Sequence, residues 1–118
     1  MPQTRIVLDV STVEGVDDVR FITFVGDLDA TNVEDTVEEV FNVINSDSSR
    51  IIADFTDLRY VNSTGLGILL HFSKSAKEKG GFFKICNINS NVFEIIDIIG
   101  ATDLLDIYET LEEAKASI

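Results

Sequence analysis

With 118 residues, of which 45% are hydrophobic, the chain is long enough to bury one core and too short for two, so we expect a single domain over residues 1–118. Its formal net charge of -12 disfavours nucleic acid and anionic membranes as partners, because both would be repelled, and favours a basic patch on another protein. The sequence has no apolar run near about 18 residues and no basic, apolar leader at Met1, so we expect a cytoplasmic protein that is neither membrane-spanning nor secreted.

The first part of the chain predicts a hairpin followed by a helix. Alternating apolar residues indicate strands from Thr4 to Val10 and from Asp18 to Gly26, joined by a polar turn. Thr31 and Glu34 then have the spacing of a capping box, in which two side chains satisfy free N–H groups at the start of a helix. Apolar residues continue at helical spacing up to Asn45, so we expect a helix that packs against a sheet.

A core strand and a second helix are predicted in the middle of the chain. Arg50 to Phe55 has the apolar run of a buried strand, and polar residues in and after this run favour a turn: Asp54, Asp57 and Asn62. Ser63 stands at the position of a helix N-cap. The helix is predicted to end at Lys79, before Gly80 and Gly81.

The last third of the chain alternates short strands and helices. The pattern predicts a strand, a helix closed by Gly100, a short edge strand and a final helix: Phe82 to Ile88, Val92 to Ile99, Leu104 to Tyr108 and Thr110 to Ser117. The complete order predicts an α/β fold, a mixed four- to five-stranded sheet covered by about four helices.

The start of the second helix combines a serine with two glycines. The Ser63 hydroxyl is placed beside backbone N–H groups that lack intrahelical partners, at the positive end of the helix dipole, so a phosphate there is electrostatically favoured. A glycine inside a helix costs about 1 kcal/mol relative to alanine. Gly65 and Gly67 therefore indicate either close packing of the helix on the sheet or close approach of a partner, with an ordinary capped helix as the simplest alternative.

Side chains that build familiar catalytic and metal sites are scarce. His71 is the only histidine and, if on the same helix as Ser63, lies about 12 Å from it, which is too far for a nucleophile and base pair. Cys86, the only cysteine, falls in an apolar run and is expected to be a buried, inert thiol. No familiar metal-ligand spacing or phosphate-binding loop is present, so we expect no enzyme activity, no metal and no cofactor.

Two motifs are more specific than the composition. Gly26-Asp27-Leu28-Asp29 follows the second predicted strand, and DLRYVNSTGLG runs from Asp57 to Gly67. They resemble Gly-Glu-Leu-Asp and Asp-Leu-x-x-(Met/Val)-Asp-Ser-(Ser/Thr)-Gly-Leu-Gly of one family, the STAS domains of bacterial anti-sigma-factor antagonists. The resemblance covers nearly the whole chain and implies a single STAS-type domain. One departure is Asn62, which stands where the family most often carries aspartate and so removes a negative charge beside the hydroxyl.

The resemblance also implies a function. In the family, the unmodified domain binds an anti-sigma factor, usually a serine kinase of the histidine-kinase ATPase type, and so frees the sigma factor. Phosphorylation by that kinase ends the binding, and a serine phosphatase restores it. Carried over to this sequence, Ser63 is the phosphoacceptor, Thr64 is a second candidate and Asp29 matches an acidic residue beside the site. The implied partner-binding residues are Asp29, Asn62, Ser63, Thr64, Gly65, Leu66 and Gly67.

Two other interpretations stay open at this point. In the first, the chain is a non-switching STAS subunit of a signalling scaffold or a transporter-associated complex, and Ser63 only caps its helix. In the second, the chain is a small hydrolase or a nucleotide-binding protein, which measurable turnover or tight nucleotide binding would have to support. Thr64 and Asp29 also have structural alternatives: Thr64 as a residue of the first helical turn, and Asp29 as the start of the capping of the helix that follows it.

Overall fold

A computed structural model of the protein describes residues 5–118. In chain order its elements are β1 (Ile6–Val13), β2 (Val16–Leu28), α1 (Val33–Ser46), β3 (Arg50–Val61), α2 (Ser63–Glu78), β4 (Phe82–Cys86), α3 (Ser90–Ile99), a 3-10 turn (Thr102–Leu104), β5 (Asp106–Ile107) and α4 (Leu111–Ala116). The predicted start of the first strand at Thr4 lies outside the described residues. Within the described part of the chain, no helix is both long and apolar enough to cross a membrane.

The strands form one mixed sheet in the order β1-β2-β3-β4-β5. β1 and β2 are antiparallel, so the predicted hairpin is confirmed, and its turn contains Gly15 with a φ of +79°, a conformation that favours glycine. The pairs β2 with β3, β3 with β4, and β4 with β5 are parallel. This mixed five-stranded sheet with four α-helices is the fold class predicted from the sequence.

The helices cover the two faces of the sheet unequally. α1, α2 and α3 pack on one face, where Ile51 and Phe55 of β3 join the main hydrophobic core. On the other face, Ile52 and Cys86 pack with Ala114 of α4 in a smaller core. Because α4 is short, this face is only partly covered, and side chains near the carboxyl ends of β2 and β3 are exposed: Val25, Asp57 and Tyr60.

β3 is longer than predicted and continues through the residues that favoured a turn. It runs to Val61 instead of ending at Phe55, because its polar side chains lie on the incompletely covered face of the sheet. Two register shifts against β2 interrupt the ladder in this part of the strand. Asp54 Oδ1 accepts hydrogen bonds from the Thr56 backbone N–H at 3.2 Å and from the Thr56 hydroxyl at 2.6 Å. The polar residues therefore mark an irregular strand, not a turn.

The N-cap of α1 is Asn32, so the predicted capping box of Thr31 and Glu34 is wrong. The Thr31 hydroxyl donates to Asp29 Oδ1 at 2.6 Å, and the Thr31 backbone N–H donates to the same oxygen at 2.9 Å. Thr31 is therefore held in the turn that precedes the helix, which begins only at Val33.

The elements after β4 lie close to their predicted positions. The side chain of Asn89 accepts the Val92 backbone N–H at 2.9 Å and caps α3, and Gly100 ends the helix with a φ of +84°. The predicted edge strand from Leu104 to Tyr108 is confined to Asp106–Ile107, because Thr102–Leu104 forms the 3-10 turn.

Lys84 is a buried lysine on the α4 side of the sheet. Its Nζ lies 3.0 Å from Asp106 Oδ2, 3.3 Å from the Tyr108 hydroxyl oxygen and 4.9 Å from the centre of the Phe82 ring. Burial alone would lower the pKa of Lys84, but the hydrogen bonds to Asp106 and Tyr108 outweigh burial and raise this pKa above 10.5. The charged lysine therefore stabilises the fold fully below about pH 10.5, and the stabilisation is lost as the pH rises through the folded-state pKa.

We expect the substitution Lys84→Met to weaken the alkaline dependence of stability. The free energy of unfolding, measured by urea denaturation from about pH 8 to about pH 11.5, should fall more in the wild type than in Lys84→Met. Lys74→Met is the control, because Lys74 is an exposed lysine on α2, and this variant should follow the wild-type curve. The same alkaline loss in the wild type and Lys84→Met would show that Lys84 makes no such contribution.

Candidate functional site

The predicted site residues gather where β2 and β3 end. Leu28 pairs with Val61 at the carboxyl ends of these parallel strands, and the Asn62 backbone N–H donates to the Leu28 carbonyl oxygen at 3.2 Å. The loop that carries Asp29 and the first turn of α2, which carries Ser63, are therefore neighbours. In α/β proteins, this edge of a parallel sheet commonly carries the functional site.

Asn62, not Ser63, is the N-cap of α2. Its Oδ1 accepts the Gly65 backbone N–H at 2.9 Å, and its carbonyl oxygen accepts the Leu66 N–H at 2.9 Å. The prediction that Ser63 caps the helix is wrong, because the preceding amide already fills that role. Ser63 is the first helical residue, it is exposed, and within residues 5–118 no hydrogen bond engages its hydroxyl. The hydroxyl is therefore accessible from solvent.

This assignment of the cap predicts different stabilities for two adjacent alanine variants. Asn62→Ala should lower the free energy of unfolding by about 1 kcal/mol, because it removes the acceptor for the Gly65 N–H. Ser63→Ala should change it by less than about 0.5 kcal/mol, since an exposed side chain is truncated. Asn62→Asp should retain stability, because a carboxylate also caps a helix and suits its positive end. Urea denaturation measures the free energy of unfolding of all three variants. A larger loss of stability in Ser63→Ala than in Asn62→Ala would show that Ser63 is the N-cap.

The first turn of α2, where Ser63 lies, carries no carboxylate. Ser63, Thr64 and Gly67 are all exposed. Gly67 is four residues after Ser63 and so lies on the same side of the helix. A Cβ atom at Gly67 would meet nothing within 4 Å, which leaves the helix backbone open to a partner at this position.

Gly65 and Leu66 face the sheet instead. Leu66 is 2% exposed and belongs to the main core. A Cβ atom on Gly65 would lie 2.7 Å from the Leu28 carbonyl oxygen and 2.8 Å from Val61 Cγ2. The two glycines thus have different structural roles. Gly65 permits close packing of α2 on the sheet, whereas Gly67 leaves the helix backbone exposed to solvent.

Asp29 is half-buried in the loop between β2 and α1, and its carboxylate orders the turn at Thr31. Its backbone N–H donates to Asn32 Oδ1 at 3.2 Å, and Asn32 Nδ2 donates to the Asp27 carbonyl oxygen at 2.7 Å. Asn32 is 1% exposed and ties the loop to the end of β2. The sequence interpretation missed Asn32, although a short amide directly before a helix is itself a signal for a cap or a turn.

The sole histidine and the sole cysteine of the sequence, His71 and Cys86, make contacts of their own. His71 is exposed on α2, and its ring meets the Phe41 ring edge-on with centres 5.2 Å apart. Burial, together with the charge of Asp54, raises the pKa of the Cys86 thiol to about 12, as expected of an inert cysteine. In the part of the chain that the structure describes, no three potential metal ligands come together.

Comparison with known proteins places the chain in a family. The family model of the STAS domain matches residues 10–114. A Thermotoga maritima protein, provisionally named an anti-sigma factor antagonist, is 26% identical over 104 residues, which cover 87% of this chain and 92% of that protein. The anti-sigma-B factor antagonist of Bacillus subtilis is 37% identical over 51 residues, or 43% of this chain and 47% of that protein. The phosphorylated form of the Bacillus cell fate determinant SpoIIAA has a similar fold, with a TM-score of 0.66 and 20% identity over 94% of this chain and 98% of that chain. The chain therefore belongs to the STAS domain family.

Proposed function

We propose that this chain is an anti-sigma-factor antagonist that acts as a partner switch, with Ser63 as the phosphoacceptor. The observation that carries the proposal is the accessible Ser63 hydroxyl, which stands at the start of α2 without capping it. Two relatives are named as antagonists of anti-sigma factors. A protein of similar fold is known in a phosphorylated form, which supports the same chemistry.

In the unmodified state, the chain binds an anti-sigma factor that is a serine kinase of the histidine-kinase ATPase type, and so frees the sigma factor. The exposed residues Ser63, Thr64 and Gly67 form the contact surface. The open backbone at Gly67 lets the partner approach closely, and the net charge of -12 suits a partner with a basic surface.

Phosphorylation then changes this surface without unfolding the domain. The γ-phosphoryl group of ATP is transferred to Ser63 Oγ, the hydroxyl loses its proton, and ADP is released. The product adds about -1.5 to -2 charges to the contact surface. In the free domain, the positive end of α2 stabilises this phosphate, whereas in the complex its charge and bulk oppose the partner. A serine phosphatase restores the binding state.

Asn62 suits this mechanism in two ways. Its amide caps α2 as a carboxylate would. Because it is uncharged, it places no negative charge next to a phosphate on Ser63, so the modified form avoids one local repulsion.

Phosphopeptide mapping tests the assignment of the phosphoacceptor. The purified chain is incubated with ATP and a lysate of its source organism, and phosphate on Ser63 and Thr64 is quantified by mass spectrometry. We expect phosphate on Ser63 in the wild type and in Thr64→Ala, and none on this peptide in Ser63→Ala. Phosphate found only on Thr64 would show that Thr64, and not Ser63, is the phosphoacceptor. An unmodified peptide in all three proteins would favour the non-switching STAS subunit of a scaffold or transporter-associated complex.

A further inference from the structure

Three large aliphatic side chains are exposed at the end of α3 and in the 3-10 turn that packs on it. The exposed fraction is 77% for Ile98, 50% for Ile99 and 62% for Leu104. We call these three residues the α3 patch. Clustered exposure of large apolar side chains on a folded domain commonly marks an interaction site.

Folding does not account for the most exposed member of this patch. Val92 and Ile96 are the residues of α3 that are fully buried in the core. Ile98 lies on another side of the helix, outside the stripe that these two residues form. A polar residue at position 98 would leave the same core in place, so the apolar side chain is better explained by contact with another molecule.

The charges around the α3 patch indicate the chemistry of that molecule. Glu94, Asp97 and Asp103 are exposed in the same segment. The sequence has no lysine, arginine or histidine between Lys84 and Lys115. An apolar centre with an acidic rim is complementary to apolar residues flanked by lysine or arginine. We propose that the α3 patch binds a basic amphipathic helix of a partner protein, laid against the exposed side of α3.

The same charges argue against two other occupants. A second copy bound through the same patch would bring the acidic rims of both copies together, which is repulsive. An anionic membrane surface would be repelled by the three carboxylates of the rim. A basic protein segment is the occupant that satisfies both the apolar centre and the rim.

The α3 patch is separate from the proposed contact surface of Ser63, Thr64 and Gly67. α3 begins beside the carboxyl end of β3, where the Asn89 side chain donates to the Leu58 carbonyl oxygen. The helix then runs for ten residues, about 15 Å, before it reaches the patch at its other end. Docking at the α3 patch therefore does not depend on the phosphorylation state of Ser63 and stands without the proposed switch.

A titration followed by NMR tests this proposal with a defined probe. The probe is an amphipathic helical peptide of leucine and lysine, about 14 residues long, and the control peptide carries glutamate in place of lysine. We expect the leucine–lysine peptide to shift the backbone amides of residues 94–105 and to lose affinity at least about tenfold in the double variant Ile98→Gln/Leu104→Gln. Both residues are exposed, so the melting temperature should be nearly unchanged. Equal affinity for the wild type and the double variant would overturn the proposal.

Charge-matched variants separate specific docking from general attraction to an acidic protein. Asp97→Asn/Asp103→Asn and Glu38→Gln/Glu39→Gln remove the same charge, from the rim of the patch and from the exposed face of α1. Only the first pair should weaken peptide binding, and equal weakening would overturn the proposal. Ser63→Asp should bind the peptide like the wild type, and a loss there would contradict the independence of the two surfaces. If the wild type self-associates and Ile98→Gln abolishes this, the patch binds a second copy of the chain instead. If the wild type sediments with phosphatidylglycerol vesicles and Ile98→Gln does not, the patch binds a membrane instead.

Discussion

Gly65→Ala is expected to destabilise the domain by about 2 to 3 kcal/mol, whereas Gly67→Ala is expected to stabilise it by up to about 1 kcal/mol. At Gly65 the added methyl group would lie 2.7 Å from the backbone oxygen of Leu28, so α2 would have to move away from the sheet. At Gly67 the methyl group meets nothing within 4 Å, and alanine has the better helix propensity.

Urea denaturation of both variants measures this difference, and partner binding supplies a second readout. If a partner approaches the backbone at Gly67, Gly67→Ala should bind that partner more weakly although it is at least as stable as the wild type. A similar loss of stability in both variants would contradict the orientation of α2, in which Gly65 faces the sheet and Gly67 faces away from it. Normal partner binding by Gly67→Ala would remove Gly67 from the contact surface.

Ser63→Asp is expected to weaken binding of the partner kinase by at least about 100-fold, whereas Ser63→Ala is expected to bind like the wild type. The aspartate places a negative charge inside the contact surface, as a phosphate would, whereas alanine removes only an exposed hydroxyl that caps nothing. The wild type and the two variants are used as baits in the source organism's lysate with ADP, and bound proteins are identified by mass spectrometry. An ATPase-type kinase should be recovered with the first two baits and lost with Ser63→Asp.

Ser90 offers a matched control for the added charge. Like Ser63, it is an exposed serine at the first position of a helix, directly after an asparagine N-cap. Ser90→Asp therefore adds the same charge in the same local setting but on α3, and it should recover the kinase like the wild type. If Ser63→Asp and Ser90→Asp lose the kinase equally, the effect comes from total charge. If all baits retain the same proteins, the chain behaves as a non-switching subunit.

The order of elements could be predicted from periodicity and helix-ending signals. Alternation of apolar residues indicated the β1–β2 hairpin, and Gly100 indicated the end of α3, where it has the left-handed conformation. Such signals are local, because the spacing of the apolar residues that a helix or a strand buries depends on the geometry of that element alone. They do not depend on knowing which element lies next to which.

The boundaries that matter for the site could not be predicted in the same way. Asn62 and Ser63 are both good N-cap residues, as are Thr31 and Asn32, and the sequence cannot decide between adjacent candidates. The structure assigns the cap to the asparagine in both cases. This one-residue difference has a functional consequence at α2, since it leaves the Ser63 hydroxyl unused by the fold.

The different environments of Gly65 and Gly67 also required tertiary structure. Both glycines look alike in the sequence, and only the position of α2 against the end of β2 shows that one is enclosed and the other open. The length of β3 is a similar case, because Asp54 and Asp57 favour turns locally but lie on a sheet face that the helices leave partly uncovered.

The most direct test of Ser63 as a switch is the release of the partner kinase from its purified complex with this chain. The complex is immobilised through the kinase, ATP is added, and the released chain and the phosphate on Ser63 are measured in the same samples over time. We predict that release of the wild type follows phosphorylation of Ser63 and that a complex with Ser63→Ala stays bound. Release of Ser63→Ala on addition of ATP, or a wild-type chain that is phosphorylated on Ser63 and still bound, would contradict the proposed switch.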